Sequence, residues 1–503
     1  MKEDTKTPGA NGNGAPEQDK IELEGQGFMA DFRRRIREVK TLRWIRFIVV
    51  SILFCLWVVW MGNAWLGLFW LLLLDIYITA YIPWTWWRKS NNRVVRTVMS
   101  WVDAIVYALV LVYFIFIFLG QQYNIPSSSL EKSLLVGDYL WVNKFVYGPR
   151  VPQTPLHFPL AQHTLPMGLG KSYIENPQLS YHRLPGLRSI DRGDIVVFNY
   201  PQGDTVCLKI QNPDYYQIIN ELKNSGVENP REYIRRHPEQ FGEVIWRPVD
   251  RRENYVKRAI GLPGERLKIA DDVIYIDGRP IKNAPDVQFN YIVYVKRPIA
   301  DSKLQELGVR LDDRGNGPLK DFNGKLYYNI PLTLDMLAEV KKWPELSGAP
   351  VRESKSGMYD LGGVFPLGSG YSWTRDNMGT IWIPRRGSTI HLTRANLPIY
   401  ERAIRTYEGN KLEVKDGKIY INDKQTDYYT FKMDYYWMMG DNRDRSLDSR
   451  YWGLVPEDHI VGSPAFVVFS VDDEKGLFGG GMRWNRILSS GNPGKHVVNP
   501  EAK

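Results

Sequence analysis

The stretch Tyr255-Val-Lys-Arg-Ala-Ile-Gly-Leu-Pro-Gly-Glu265 opens as a strand and closes as a turn. As a strand it puts Lys257 on one face with Tyr255 and Ala259, and sends Arg258 to the other. Gly261, Pro263 and Gly264 punctuate the chain before a second alternating run, Leu267–Ile276. The same alternation bounded by turn residues recurs at Asp138–Phe145, Asp194–Tyr200, Lys411–Ile421 and Ala465–Val471. Helical patterns are fewer. They fall within Asp214–Lys223, Leu332–Lys342 and Thr393–Tyr407, the last with Thr393 as N-cap and Gly409 as stop. This part of the chain reads as mostly β with helical insertions.

Leu267–Gly278 aligns without a gap to Leu412–Asp423, and both read as a strand, a tight acidic turn and a second strand. Hairpins converge on this composition, so the likeness is taken as one of local form and not as a duplication. The two hairpins bracket residues 285–425, which read as an insertion. Smaller insertions fall near 150–185 and 205–250, and residues from about 487 to 503 read as a loose tail.

Toward the N-terminus the character changes. Residues 1–26 are polar and carry no apolar stretch of the kind a cleavable leader needs, so they read as a disordered tail. A basic segment, Arg33–Lys40 with Arg43 and Arg46, precedes three apolar runs: about Phe47–Met61, Trp65–Pro83 and Met99–Gly120. An aromatic belt and a second basic loop, Trp84–Arg96, separate the last two. Placing both basic segments in the cytoplasm satisfies the positive-inside rule, and three crossings then carry everything after Gln121 outside. A shallow re-entrant first pair gives the same orientation. Asp75, within the second run, reads as protonated or hydrogen-bonded to a neighbouring helix.

The 503 residues allow two or more folded units. A formal charge of +9 suits nucleic acid in principle, but no basic stripe with interleaved aromatics stands out, and part of the charge flanks the apolar runs. The two cysteines, Cys55 in an apolar run and Cys207 in a polar region, provide no disulfide framework.

None of the seven histidines lies in a nucleophile-elbow, HExxH or other catalytic context. A lysine base is the alternative for amide hydrolysis, provided burial keeps it neutral. Two further stretches bear on this: Ile125-Pro-Ser-Ser-Ser-Leu-Glu-Lys-Ser-Leu-Leu-Val-Gly-Asp138, and Gly440-Asp-Asn-Arg-Asp-Arg-Ser-Leu-Asp-Ser-Arg-Tyr-Trp-Gly453. Alone, each has an ordinary structural reading as a turn. Together with Tyr255–Glu265, in this order and after a membrane segment, they resemble the type I signal peptidases, membrane-anchored Ser/Lys proteases that remove leader peptides from exported proteins.

The resemblance implies roles residue by residue. Ser129 corresponds to the nucleophile and Lys257 to the general base. Ser127 corresponds to the hydroxyl donor of the oxyanion site, with the Ser129 N–H as the other donor. Ser446 corresponds to the residue that orients the lysine amine, and Asp448 and Arg450 to a supporting ion pair. Ile125 and Pro126 are expected to border shallow pockets for small substrate side chains. Arg192–Phe198 matches a structural strand. Two positions depart from the family pattern: Leu130 replaces a methionine, and Lys132 stands where proline is common.

The implied fold is a set of N-terminal transmembrane helices followed by a mostly antiparallel β catalytic domain of the signal peptidase type with α/β insertions. Its expected parts are a cytoplasmic polar and basic tail (1–43), a membrane anchor of about three helices (44–120), a catalytic core (121–284 and 426–475), an inserted second domain (285–425) and a C-terminal tail (476–503). The expected partners are preprotein signal peptides, membrane lipid and the secretion machinery, with no nucleic acid, metal or organic cofactor. The expected place is the inner membrane, multi-pass, with the catalytic domain on the extracytoplasmic side. A specialised membrane peptidase with few substrates, and a catalytically silent membrane-anchored scaffold, are the alternative readings.

Overall fold

The structure is a computed structural model that describes residues 32–498 apart from 33–34, 38, 159, 166, 168–169, 313–316, 354–362, 473 and 477–478. The expected disordered tail (1–26), the start of the basic segment and the last five residues lie outside the described residues. The chain divides into two units, residues 1–108 and 109–503.

In the first unit, α1 (Thr41–Met61) is long and apolar enough to cross a membrane, and it buries only Phe47 and Met61. The next apolar run is shorter and irregular. Ala64–Thr79 passes through a 3₁₀ segment, one α-helical stretch and a π-helical turn, and rises only about 25 Å against a hydrocarbon core of roughly 30 Å. Asp75 explains where it stops. Its carboxylate accepts from the backbone N–H groups of Tyr81 and Ile82, from Thr79 Oγ1 at 2.6 Å and from Trp84 Nε1 at 2.9 Å. The hydrogen-bonded reading of Asp75 therefore holds, with partners in its own turn instead of a neighbouring helix.

The second long apolar helix, Arg93–Leu119, starts in the first unit and ends in the second; α2 (Arg93–Phe114) is its α-helical part. None of the residues of α2 is buried, although from Ala104 onward it is apolar on every side, a pattern that calls for lipid as solvent. Two helices thus meet the length and composition expected of a span.

The second unit is built on a seven-stranded sheet. Its strands are β1 (Gly120–Asn124), β2 (Asp138–Asn143), β3 (Ile195–Asn199), β4 (Asn254–Gly261), β5 (Tyr435–Met439), β6 (Val455–Pro456) and β7 (Ile460–Ser470). The spatial order is β1-β2-β7-β3-β4-β5-β6, antiparallel at every pairing. β4 lies between β3 and β5, with Val196 opposite Lys257. The lysine strand is therefore interior to the sheet, and alternation sends its residues to two different cores. Ala259 joins a cluster with Val196, Phe198, Met438 and Trp452, while Val256 packs on Ile125, Leu130, Leu140 and Val197.

The two look-alike segments are hairpins in matching register. Leu267 faces Ile276 and Leu412 faces Ile421, and each hairpin adds a short third strand, Arg279–Pro280 or Lys424–Gln425. Their turns use left-handed residues at equivalent places, Asp271 and Asp272 in one, Asp416 and Gly417 in the other. Residues 285–425 add their own antiparallel sheet around Phe289–Val295 and Leu326–Leu332. One apolar cluster joins Val293, Ile330 and Ile404 from this segment to Leu267 before it and Trp437 after it. The helix expected from Thr393 starts later, at Leu397, because Thr393 and Asn396 first bond each other's backbone N–H groups in a closed turn.

The C-terminal segment corrects an expectation. Instead of trailing as a loose tail, residues 483–498 pack on the sheet. Arg486 pairs with the fully buried Asp138 at 2.5 Å, and Lys495 reaches the equally buried Asp194 at 2.9 Å. Asn492 donates to Asp194 and accepts from the Ile195 N–H, and Val498 is buried. Buried carboxylates require such partners, and this segment supplies the cation for Asp138 and a second one, beside Arg188, for Asp194.

Candidate active site

Ser129 sits in a single 3₁₀ turn, Ser128–Leu130, directly before β2. The turn is held from both ends. Leu130 and Leu134 are fully enclosed in the cluster around Val197 and Val467, and the Ile125 N–H donates to the Asp138 carbonyl. Gly137 closes the loop with a φ of 85°, and a Cβ there would lie 1.9 Å from the Val471 carbonyl oxygen. Only glycine fits both constraints. The Gly137-Asp138 pair is thus structural.

Lys257 comes from the adjacent face of the sheet. Its Nζ lies 2.7 Å from Ser129 Oγ, and both side chains are buried. Burial is the main influence on the amine and pushes its pKa down to about 8, against a smaller upward pull from Asp448 and Asp441. The Tyr255 ring, 5.7 Å from Nζ, is part of the wall, itself packed against Tyr200 and Trp452. An amine that is substantially neutral near pH 8 and in hydrogen-bond contact with a serine hydroxyl can accept that hydroxyl's proton.

The Gly440–Gly453 loop supports the pair from behind. The Asn442 N–H donates to the Ser129 carbonyl at 3.1 Å, and its side-chain amide donates to the Ser128 carbonyl at 3.1 Å. Gly440 lies so close that a Cβ on it would stand 2.2 Å from Ser446 Oγ and 2.6 Å from the Ser129 carbonyl oxygen. Asp448 and Arg450 form a fully buried two-point ion pair, at 2.8 and 2.9 Å, and Asp448 also accepts from the Gly440 N–H. Burial alone would raise the Asp448 pKa, but Arg450 holds it below the usual aspartate range. A second pair, Arg258 with Asp441 at 2.6 Å, is reinforced by Ser133, whose hydroxyl donates to Asp441.

The expected residues meet these positions unevenly. Ser127 Oγ lies 3.5 Å from Ser129 Oγ and is exposed, as is Pro126. Ile125 is 3 % exposed and closed into the apolar cluster, so Pro126 and Ser127 carry the open edge that Ile125 was expected to share. Ser446 is buried beside Gly440, yet its hydroxyl contacts the Leu447 carbonyl at 3.5 Å and makes no hydrogen bond to Lys257. Lys132 has a φ of 75°, a left-handed conformation that the proline ring cannot adopt, and its amine donates to the Gly308 carbonyl at the end of helix Asp301–Leu307. The departure at this position is therefore matched by a different loop path with its own anchor. Asn442, Asp441 and Ser133 were not singled out from the sequence. Asn442 and Asp441 stood inside the quoted loop motif, and only the chain path brings Ser133 to them.

Comparison with known proteins identifies the family. The family model described as signal peptidase, peptidase S26 matches residues 98–306 and 426–469 and passes over 307–425. The chain belongs to this family of serine endopeptidases. Signal peptidase I of Haemophilus influenzae is 21% identical over 409 residues, covering 80% of this chain and 78% of the relative. Signal peptidase I of Helicobacter pylori strain 26695 is 22% identical over 381 residues, covering 75% and 83%. That of Buchnera aphidicola subsp. Baizongia pistaciae is 22% identical over 399 residues, covering 79% and 84%. The function of the chain is that of a signal peptidase.

Proposed function

We propose that this signal peptidase cleaves exported preproteins after small residues with Ser129 as nucleophile and Lys257 as general base. The observation that carries the reading is the 2.7 Å separation of Lys257 Nζ and Ser129 Oγ inside a buried site. Lys257 takes the hydroxyl proton as Ser129 Oγ bonds to the scissile carbonyl carbon. The resulting oxyanion is met by the Ser127 hydroxyl and the Ser129 N–H. Collapse expels the new N-terminus of the mature protein, which receives the proton from Lys257, and leaves the signal peptide as an acyl ester on Ser129. Lys257 then deprotonates a water that hydrolyses the ester. No step calls for a metal or organic cofactor. Asn442, Gly440 and the Asp448–Arg450 pair hold the serine turn and the loop behind it, and Ser446 supports that loop through packing.

The preprotein pairs as an extended strand beside the sheet, with its small side chains against the Pro126–Ser127 edge and Ile125 beneath it. α1 and Ala64–Thr79 take the chain into the membrane and back, and Arg93–Leu119 crosses it, which puts residues from 121 onward on the extracytoplasmic side of the inner membrane. Both basic segments flanking these helices favour that orientation. Membrane lipid and the secretion machinery are the surroundings in which it works. The catalytic core is 121–284 with 426–475, and 285–425 is an α/β insertion, a reading supported over 307–425, where the family match has its gap, and not over 285–306, which it covers.

The test is cleavage of a purified preprotein by the detergent-solubilised full chain beside Ser129→Ala and Lys257→Ala. Wild type cuts at the leader junction and both folded variants are inert. Cleavage retained by either variant would remove that residue from the chemistry.

A further inference from the structure

A pocket away from Ser129 has no part in this reaction. It encloses about 160 Å³ at the point where the second apolar helix gives way to β1. One side is apolar, formed by Tyr113, Phe116 and Ile117 of that helix. The other side carries Lys144, Arg150 and Arg251, with Asp250 as its only carboxylate.

The cations are poorly matched by the groups around them. Lys144 donates to the Phe116 carbonyl at 2.6 Å and to Gln121 Oε1 at 3.1 Å, both neutral acceptors. Arg150 donates to Asn199 Oδ1 and to the Asp458 carbonyl. Arg251 has Asp250 at 3.7 Å, and that carboxylate also accepts the N–H and hydroxyl of Thr154. At the lining three cationic groups face one carboxylate, with Asp458 acting on Arg150 from outside the lining. Burial, followed by the repulsion of Arg150 and Arg251, lowers the Lys144 pKa to about 7. A bound anion would reverse that penalty.

A second observation indicates where the anion comes from. The loop that closes the pocket exposes Leu156, Phe158 and Leu160 to solvent. His157, between them, packs on the Tyr113 ring at 5.4 Å and so fixes this loop to the end of the apolar helix. Apolar side chains turned outward around a cationic hollow, at the end of a membrane-spanning helix, match the layering of a bilayer surface: acyl chains outside, phosphate within. The volume is too small for a whole lipid or a drug-sized ligand and suits a headgroup phosphate.

We propose that this pocket binds the phosphodiester of a membrane phospholipid, with Lys144, Arg150 and Arg251 around the phosphate and Leu156, Phe158 and Leu160 against its acyl chains. The proposal rests on the reading of Arg93–Leu119 as a membrane span. The bound lipid anchors the base of β1, and with it the chain leading to Ser129, at a set depth.

The test uses the full chain purified in detergent, titrated with phosphatidylglycerol and followed by native mass spectrometry. Wild type retains one lipid. Lys144→Met and Arg251→Gln each weaken retention about fivefold or more, the loss expected for one surface cation near anionic lipid. Phe158→Ser, at an exposed position that leaves the fold unstressed, weakens it as well and decides the matter if the charge variants fail to fold. Equal retention by folded variants overturns the proposal. Displacement of the lipid by millimolar inorganic phosphate also overturns it, by assigning the pocket to a soluble anion. Flotation of the wild-type chain with phosphatidylcholine vesicles checks the membrane reading separately: a chain that fails to float removes the premise, whereas one that floats yet shows no selective retention removes only the site.

Discussion

The backbone N–H of Asn442 is bonded to the carbonyl of Ser129, 3.1 Å away, although 313 residues of sequence separate them (442 − 129). Ser129, the proposed nucleophile, is thus positioned by a loop more than 300 residues further along the chain. The Asn442 side-chain amide doubles the restraint through Ser128. Replacing Asn442 by Ala removes the second bond and leaves the first. We expect kcat to fall about 10- to 100-fold, the range that a small misplacement of a reacting group produces, with KM nearly unchanged. Steady-state kinetics beside a thermal melt checks this, and a matching loss of folded protein would show that Asn442 serves the fold alone.

With Lys257 as the proposed general base, its amine sets the expected pH dependence. Its pKa is lowered to about 8, so the neutral, proton-accepting form gains as pH rises. Between pH 7 and 9 the neutral fraction grows about tenfold, and kcat/KM should follow before levelling off. A rate that is flat over this interval, or that falls with rising pH, would mean another group controls proton transfer.

Gly440 is fixed by its two neighbours. Gly440→Ala drives a methyl group into Ser446 Oγ and the Ser129 carbonyl. Overpacking of this kind costs about 1–3 kcal/mol. The displaced atoms belong to the site, so activity should drop by more than the loss of folded enzyme explains. Comparing the melting temperature with active-site labelling separates the two effects.

The sequence made the sheet legible because alternation is a local property. Every predicted strand appears, with ends shifted by a few residues, and both acidic hairpins adopt the expected form. Ser129 and Lys257 were legible through their motifs, and the structure brings them together. What could not be read depends on long-range partners. Residues 483–495 have the glycine- and asparagine-rich composition of a tail, but Arg486 and Lys495 answer buried carboxylates more than 290 residues away, at Asp138 and Asp194. Ser446 had the right motif position, yet its hydroxyl turns to Leu447 and not to Lys257, an outcome set by side-chain geometry alone. Lys132 presented as an anomaly until its left-handed backbone and its bond to Gly308 gave it a place.

That place is testable by two substitutions with opposite backbone demands. Lys132→Gly relieves the left-handed residue and loses the bond to Gly308, so stability should change by less than about 1 kcal/mol. Lys132→Pro cannot adopt a φ of 75° and should disrupt the serine turn, with activity lost and folding impaired. An active, stable Lys132→Pro enzyme would show that the loop takes the other path.

The buried Asp448–Arg450 pair gives an asymmetric expectation. Arg450→Met strands a carboxylate with no exposure and should cost about 3–5 kcal/mol. The double change Asp448→Asn with Arg450→Met should recover much of that loss. Asp448 is held below the ordinary aspartate pKa, so its contribution is complete above about pH 4, the unfolded value, and disappears as pH falls further through the folded one. Denaturant melts of wild type and the two variants between pH 3 and 7 measure both effects.

The packing of residues 483–498 has a consequence for how the enzyme comes into being. Asp138 begins the strand that follows the serine turn and has Arg486 as its cation, whereas Asp194, just before the strand paired with Lys257, is already held by Arg188 and takes Lys495 as a second cation. The strand after the serine turn therefore depends on a cation 348 residues further along the chain. Until residue 486 is in place, the loop that carries the proposed nucleophile lacks the ion pair at its base. A chain stopped at residue 480 should accumulate in the membrane as protein that cleaves nothing.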